Sequence, residues 1–182
     1  MSYYGVIFPE FWTGQTGREL REHGGKEAQL LGLYLATNRH ANMLGLYHVL
    51  VDDIKHETGL SLKAIEKGLR VTAAATFATF DAATAFVWVR HMARFRLGLR
   101  NGDVLNPGDK RVVAVNRLYH NLEVNPFLEP FYDANRKLLC LRKCRQTDTA
   151  LVVPFTADHY MSPLVRGLQG ASKGHASQKQ DQ

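Results

Sequence analysis

A mainly α-helical fold with one small β-hairpin is what this sequence predicts, and three features of the stretch Leu44 to Met92 predict it. A short apolar strand, LGLYHV, runs into VDDIKHET, a helical segment that stops at Gly59. A second helix starts at Ser61, after the short connection Thr-Gly-Leu-Ser. Two β-rich runs, TFATFD and AFVWVRHM, follow with only a short turn between them, which is the signature of a hairpin. Strand, helix, turn, helix, hairpin is the order of a winged helix-turn-helix. Two further helices make a C-terminal helical extension.

Taken in order, Met1 to Thr16 mixes Tyr3, Tyr4, Phe8, Phe11 and Trp12 with the turn residues Pro9 and Gly14. It is too apolar for a solvated tail and is expected to pack onto the domain or onto a second copy of the chain as a homodimer. Residues 1–23 are therefore an N-terminal arm, with a helical turn or two over Arg18 to His23 before Gly24-Gly25 breaks the chain. Lys26 to Thr37 is apolar nearly all round after its first turn, which predicts a core helix opening a winged domain over residues 24–98. A loop over Asn38 to Asn42 leads to the strand, where Gly45 allows a close backbone approach.

The next two helices are set by local chemistry. Gly59 stands where a helix end favours a left-handed residue, and the Ser61 hydroxyl is suited to accept from the free amides of the next helix. Leu62, Ile65 and Leu69 recur at helical spacing and predict one buried face. Lys63, Lys67 and Arg70 fall on the other side, on a stripe about 10 Å long at about 1.5 Å rise per residue. A Lys/Arg stripe is most simply a solvated face. In a helix-turn-helix it belongs to the element that enters the major groove.

Phe77, Phe80, Phe86, Val87 and Trp88 supply the hairpin. Alternation puts Phe86 and Trp88 on one face and Val87 and Val89 on the other, so both faces are apolar and the second needs a cover, from the arm or from a partner. The wing, Phe80 to Thr84, carries no Lys or Arg, which argues against a minor-groove grip by its tip. Gly98 to Gly108 reads as a loop and domain boundary, followed by helices over Asp109 to Glu123 and Pro126 to Leu141 in an extension spanning 99–145. They are parted at Asn125-Pro126, because a residue before proline is pushed out of the helical region. Leu151 to Phe155 is a short apolar run, ordered structure is expected to end near Val165, and residues 146–182 are expected to be a largely disordered tail.

Composition narrows the function. The net charge of +6 is unevenly placed: residues 61–145 hold fifteen Lys and Arg against seven Asp and Glu, whereas residues 1–60 hold five against seven. Such clustering favours a polyanionic partner. No apolar run approaches the roughly 18 residues of a membrane span, and MSYYGVIFPEF lacks the basic start and apolar core of a signal peptide, so no membrane partner and a cytoplasmic location are expected. Cys140 and Cys144 lack further Cys or His at metal spacing and are expected to be reduced thiols on successive turns of one helix. Asp52, Asp53 and Glu57 read as a solvated helix face rather than a metal cluster. Ser61 precedes a helix and Ser162 lies near the tail, neither within a GxSxG turn, and there is no GxxxxGK[ST] phosphate loop, so neither catalysis nor a cofactor is expected.

Three stretches carry a family resemblance: YLATNRHANMLGLYHV, TGLS and FATFDAATAFVWVRHMARFRLG. Together they resemble prophage-encoded replication-initiator proteins of the replisome-organiser kind, whose N-terminal part is a winged helix. In that family a helix ending in YL and a GLY strand precede the helix-turn-helix. An aromatic residue followed by Asp and a VWV strand closes the wing, with a segment like Met92 to Gly98 after it. The likeness covers roughly Gly5 to Leu141. It implies DNA binding in phage replication initiation or transcriptional regulation, with a helicase or its loader as a protein partner.

The expected partner is thus double-stranded DNA. Lys63, Lys67 and Arg70 would approach base edges and phosphates, with Lys63 and Arg70 better placed to read guanine. Ser61 and Lys55 would anchor phosphates near the helix termini, and Arg90, Arg94 and Arg96 would extend the electrostatic track. The alternative is a protein-interaction module that assembles through the aromatic hairpin, Phe86 and Trp88.

Overall fold

The computed structural model describes Ile7, residues 9–147 and residues 151–160. Within them the chain is mainly helical around one small antiparallel sheet. The tail from Gly167 onward and the end of structure expected near Val165 lie outside the described residues.

The N-terminal residues form α1 (Glu10–Thr13) and α2 (Gln15–Thr37). Gly25 interrupts α2 with φ 72° and ψ −166°, so the break expected at Gly24-Gly25 is a kink inside one long element. The kink folds the two segments toward each other, because the Gln29 side chain donates to the Gly17 carbonyl at 3.1 Å, and twelve residues of straight helix would span about 18 Å. Phe11 meets Phe77 edge-on with centroids 6.0 Å apart, which ties this part of the arm to its own chain.

The segment after α2 is organised by two asparagines. The Asn38 Oδ1 accepts from His40 N and Ala41 N, and the Asn42 Oδ1 accepts from Leu44 N and Gly45 N. These side chains take over backbone donors that neither helix nor strand satisfies. Strand β1 (Leu46–His48) then leads into α3 (Val51–Thr58). Gly45 has φ 70°, and a Cβ there would lie 2.7 Å from the Val89 carbonyl oxygen, the close backbone approach expected of it.

Helix α4 (Leu62–Ala74) follows α3 through Gly59, which is left-handed (φ 72°, ψ 6°), and through Ser61, whose Oγ accepts from Ala64 N at 3.2 Å. Ala64, Ile65, Gly68, Leu69 and Thr72 are buried. A Cβ on Gly68 would come within 2.6 Å of Leu31 Cδ2, so a glycine lets α2 seat directly on α4.

Strands β2 (Ala78–Asp81) and β3 (Phe86–Val89) complete a sheet of order β1-β3-β2. Its register pairs Tyr47 and Phe80 with Val87, and Leu46 and Thr79 with Trp88. The two faces enter different cores. Tyr47, Phe80, Val87 and Val89 pack with Leu31, Leu35, Ile54, Ile65 and Leu69 of the preceding helices. Leu46, Phe86 and Trp88 pack with Val112, Val115, Tyr119, Phe131 and Leu139.

The second core belongs to α6 (Lys110–Asn121) and α7 (Leu128–Leu139), which follow the short α5 (Met92–Arg96) and a loop. The cover for the second sheet face is therefore the C-terminal helix pair, neither the arm nor a partner. The loop is pinned to that pair: Leu105 N donates to the Leu138 carbonyl at 2.9 Å. Asn116 ties α6 to the chain after α7, donating to the Cys140 carbonyl and accepting from Arg142 N.

Three expectations need correction. The run AFVWVRHM is not strand throughout: β3 ends at Val89, and His91 turns left-handed (φ 59°) to start α5. Cys140 and Cys144 are free but not on successive turns, since α7 ends at Leu139 and Cys140 is its left-handed cap (φ 50°). Part of the expected tail is ordered: Phe155 is buried against Phe80, and Ala157–Tyr160 forms a short helix, α8. Among the described residues no helix is long and apolar enough to cross a membrane.

Candidate nucleic-acid interface

Helix α4 is amphipathic in the sense its sequence requires. Its buried edge is locked into the core between α2 and the sheet, and this fixes the opposite edge outward. Ser61, Lys63, Lys67 and Arg70 are all exposed, and so are Ala73 and Ala74 at the far end. Neither α6 nor α7 lies over this edge, because both are committed to the Phe86 and Trp88 face of the sheet. The Lys55 side chain is exposed in the last turn of α3.

The cations differ in how free they are. Among the described residues Lys63 and Lys67 make no ion pair, whereas Arg70 Nη2 lies 3.8 Å from the Glu66 carboxylate one turn earlier. An exposed pair at that spacing contributes a few tenths of a kcal/mol, roughly 0.3 to 0.5, so Arg70 is available to a stronger anion. Glu66 is also held by a second group, accepting from Ala157 N at 3.1 Å.

A groove of about 630 Å³ opens beside the C-terminal half of α4, lined by Lys67, Arg70, Val71, Ala74 and Ala75, with Glu19 and His23 across it. Sequence reading missed Glu19 and His23. Their position follows from the angle of the Gly25 kink, and no pattern of residue types reports that angle.

The other three arginines are spent on the fold. Arg90 sits over Trp88, its guanidinium carbon 3.7 Å from the ring centroid, and burial pulls its pKa down. Arg96 Nη2 donates to the Ala36 carbonyl at 3.0 Å, near the end of α2. Arg94 Nη1 donates to the Arg100 carbonyl, closing the turn after α5. The structure thus brings Ser61, Lys63, Lys67 and Arg70 together along one helix edge and places Arg90, Arg94 and Arg96 in structural contacts elsewhere.

The acidic residues of α3 are compensated rather than gathered. Arg39 Nε sits 3.1 Å from the Glu57 carboxylate, and His40 Nε2 sits 3.7 Å from that of Asp53. No group of His, Cys, Asp and Glu among the described residues is arranged to hold a metal. Desolvation, with help from the Glu129 and Asp133 carboxylates, pushes the Cys144 thiol up, away from the reactive thiolate.

The turn between β2 and β3 is short and closed by its own acid. Asp81, buried between the strands, accepts from Thr84 N and Thr84 Oγ1 at 2.9 and 2.6 Å. The aromatic pair considered for protein assembly is covered, Phe86 and Trp88 each being 3% exposed. What remains open is a helix edge carrying three cations. Comparison of the chain with protein-family models, with curated proteins and with solved structures finds no match in any of the three.

Proposed function

We propose that this protein is a non-enzymatic, winged helix-turn-helix protein that binds double-stranded DNA, with α4 as the recognition helix. The order α2, β1, α3, α4, β2, β3 and the strand arrangement β1-β3-β2 support that reading of the fold. The observation that carries the function is the exposed edge of Lys63, Lys67 and Arg70 on a helix whose other edge is fully engaged in the core. A helix held this way presents its cations from a fixed backbone, so little backbone freedom is lost on meeting phosphates.

Lys63 and Lys67 act as phosphate anchors, and Arg70 is the residue with the fork geometry to read a guanine edge. Ser61 and Lys55 flank the entry of α4. Contact is concentrated on α4, because the wing has no cation and Arg90, Arg94 and Arg96 are occupied within the fold. The resemblance of the chain to replisome-organiser proteins supports replication initiation or transcriptional regulation in a phage context, with a helicase or its loader as a further partner.

The test is fluorescence anisotropy with a labelled duplex of about 25 base pairs, titrated at several salt concentrations. Log affinity is expected to fall linearly with log salt, and Lys67→Ala to reduce the magnitude of that slope by about one. Absence of duplex binding at low salt, or a slope that Lys63→Ala, Lys67→Ala and Arg70→Ala all leave unchanged, refutes the reading.

A further inference from the structure

Residues 151–157 form a strap that runs from the turn between β2 and β3 to α4, and three contacts fix its course. Val153 is hydrogen-bonded to Asp81 and Ala82. Phe155 is buried edge-on to Phe80, with ring centroids 6.4 Å apart. Ala157 N then donates to Glu66 Oε2 at 3.1 Å, across 91 residues of sequence.

Glu66 is the acidic residue of α4, and it stands within the row of cations. Lys63 lies three residues before it and Arg70 four after, spacings at which side chains of a helix meet. A carboxylate free to turn there would close on either one and cancel a charge that phosphates need. The strap holds it instead. Glu66 is half-buried while Lys63, Lys67 and Arg70 are exposed. With Oε2 taken by Ala157 N, Oε1 stays 3.8 Å from Arg70 Nη2, well beyond the roughly 2.7 to 2.9 Å of a charge-assisted hydrogen bond.

We propose that the strap is a positioning element of the DNA interface: by occupying the Glu66 carboxylate through Ala157 N, it leaves Lys63 and Arg70 available to the duplex. The inference rests on the reading of α4 as the DNA-binding helix and adds to it a distant part of the chain that acts through Glu66.

Duplex binding is measured on the full chain by anisotropy at one low salt concentration, with the urea midpoint of each variant as the check on folding. Ala157→Pro removes the donor at the first position of α8, where proline is tolerated. It is expected to weaken binding about threefold, the size of one exposed ion pair regained by Glu66. In a Glu66→Gln background the same substitution is expected to change nothing, because no carboxylate is left to release. Glu66→Asp keeps the charge on a side chain one methylene shorter, out of reach of Ala157 N. It is expected to weaken binding likewise, and it carries the test if Ala157→Pro does not fold. Unchanged or tighter binding by a folded Ala157→Pro protein or by Glu66→Asp, or an equal loss in the Glu66→Gln background, overturns the proposal. A parent protein that binds no duplex removes the DNA-binding reading and this inference with it, whereas a parent that binds while these variants match it removes the inference alone.

Discussion

Asp81 and Val153 are joined across 72 residues of the chain: Val153 N donates to Asp81 Oδ1 at 2.7 Å, and the Val153 carbonyl accepts from Ala82 N at 2.8 Å. The same carboxyl group accepts from Thr84, so one buried acid fixes both the turn between β2 and β3 and the strap that runs beside it. Removing it strands three donors, two of them backbone amides. Asp81→Ala is expected to cost on the order of 3 kcal/mol, read as a lower urea midpoint at unchanged slope. Limited proteolysis is expected to cut the strap near Val153 sooner. A parent-like midpoint together with parent-like cleavage would remove Asp81 from this role.

The arginines after the hairpin and the lysines of α4 predict opposite phenotypes. Arg96→Ala leaves the Ala36 carbonyl without its donor and is expected to cost about 1 to 2 kcal/mol of stability, with the salt dependence of duplex binding unaltered. Lys67→Ala removes no ion pair among the described residues and is expected to shift stability by less than about 0.5 kcal/mol while, on the proposed DNA-binding reading, flattening the salt slope. Thermal unfolding and anisotropy on the same two variants separate the roles, and a salt slope changed by Arg96→Ala would return that residue to the interface.

Phe131 is fully buried, with its ring 5.7 Å from Trp88 and stacked on Tyr119 at 5.9 Å. If α6 and α7 are a required layer of the fold, Phe131→Ala is expected to cost about 3 to 5 kcal/mol and to move the Trp88 emission to longer wavelength. The reading needs a Trp12→Phe background, because Trp12 is 46% exposed and contributes its own signal. Unchanged emission and stability would mean that the helix pair is dispensable to the sheet.

The parts of the fold visible in the sequence are those fixed by neighbours along the chain. Gly59 and Ser61 end one helix and cap the next by contacts within four residues, and the apolar spacing of Ile65 and Leu69 reports a buried face of α4 directly. What covers Phe86 and Trp88 was not visible, because Phe127 and Phe131 arrive from some forty residues away and an apolar face does not name its partner. The destination of an arginine was equally hidden. Arg90, Arg96 and Lys67 look alike as charges, yet an indole ring and a helix-end carbonyl claim two of them only once the chain is folded. Asp81 gave no signal beyond its place in a turn, since its second partner lies 72 residues on.

His48 supplies the pH dependence. It is half-buried at the end of β1, edge-on to Phe86 with centroids 5.7 Å apart. Desolvation there lowers its pKa below the ordinary 6.5; the Glu123 and Asp53 carboxylates act in the opposite direction, and His40 adds to the lowering. Between the lowered folded value and 6.5 the unfolded chain binds more protons at this position than the folded one, so stability rises with pH through that window. Acidification from about pH 7 to pH 5 is therefore expected to lower the urea midpoint, and His48→Gln, which has no proton to gain, is expected to make that dependence shallower. A variant whose midpoint falls as steeply as that of the parent would assign the acid sensitivity to other groups.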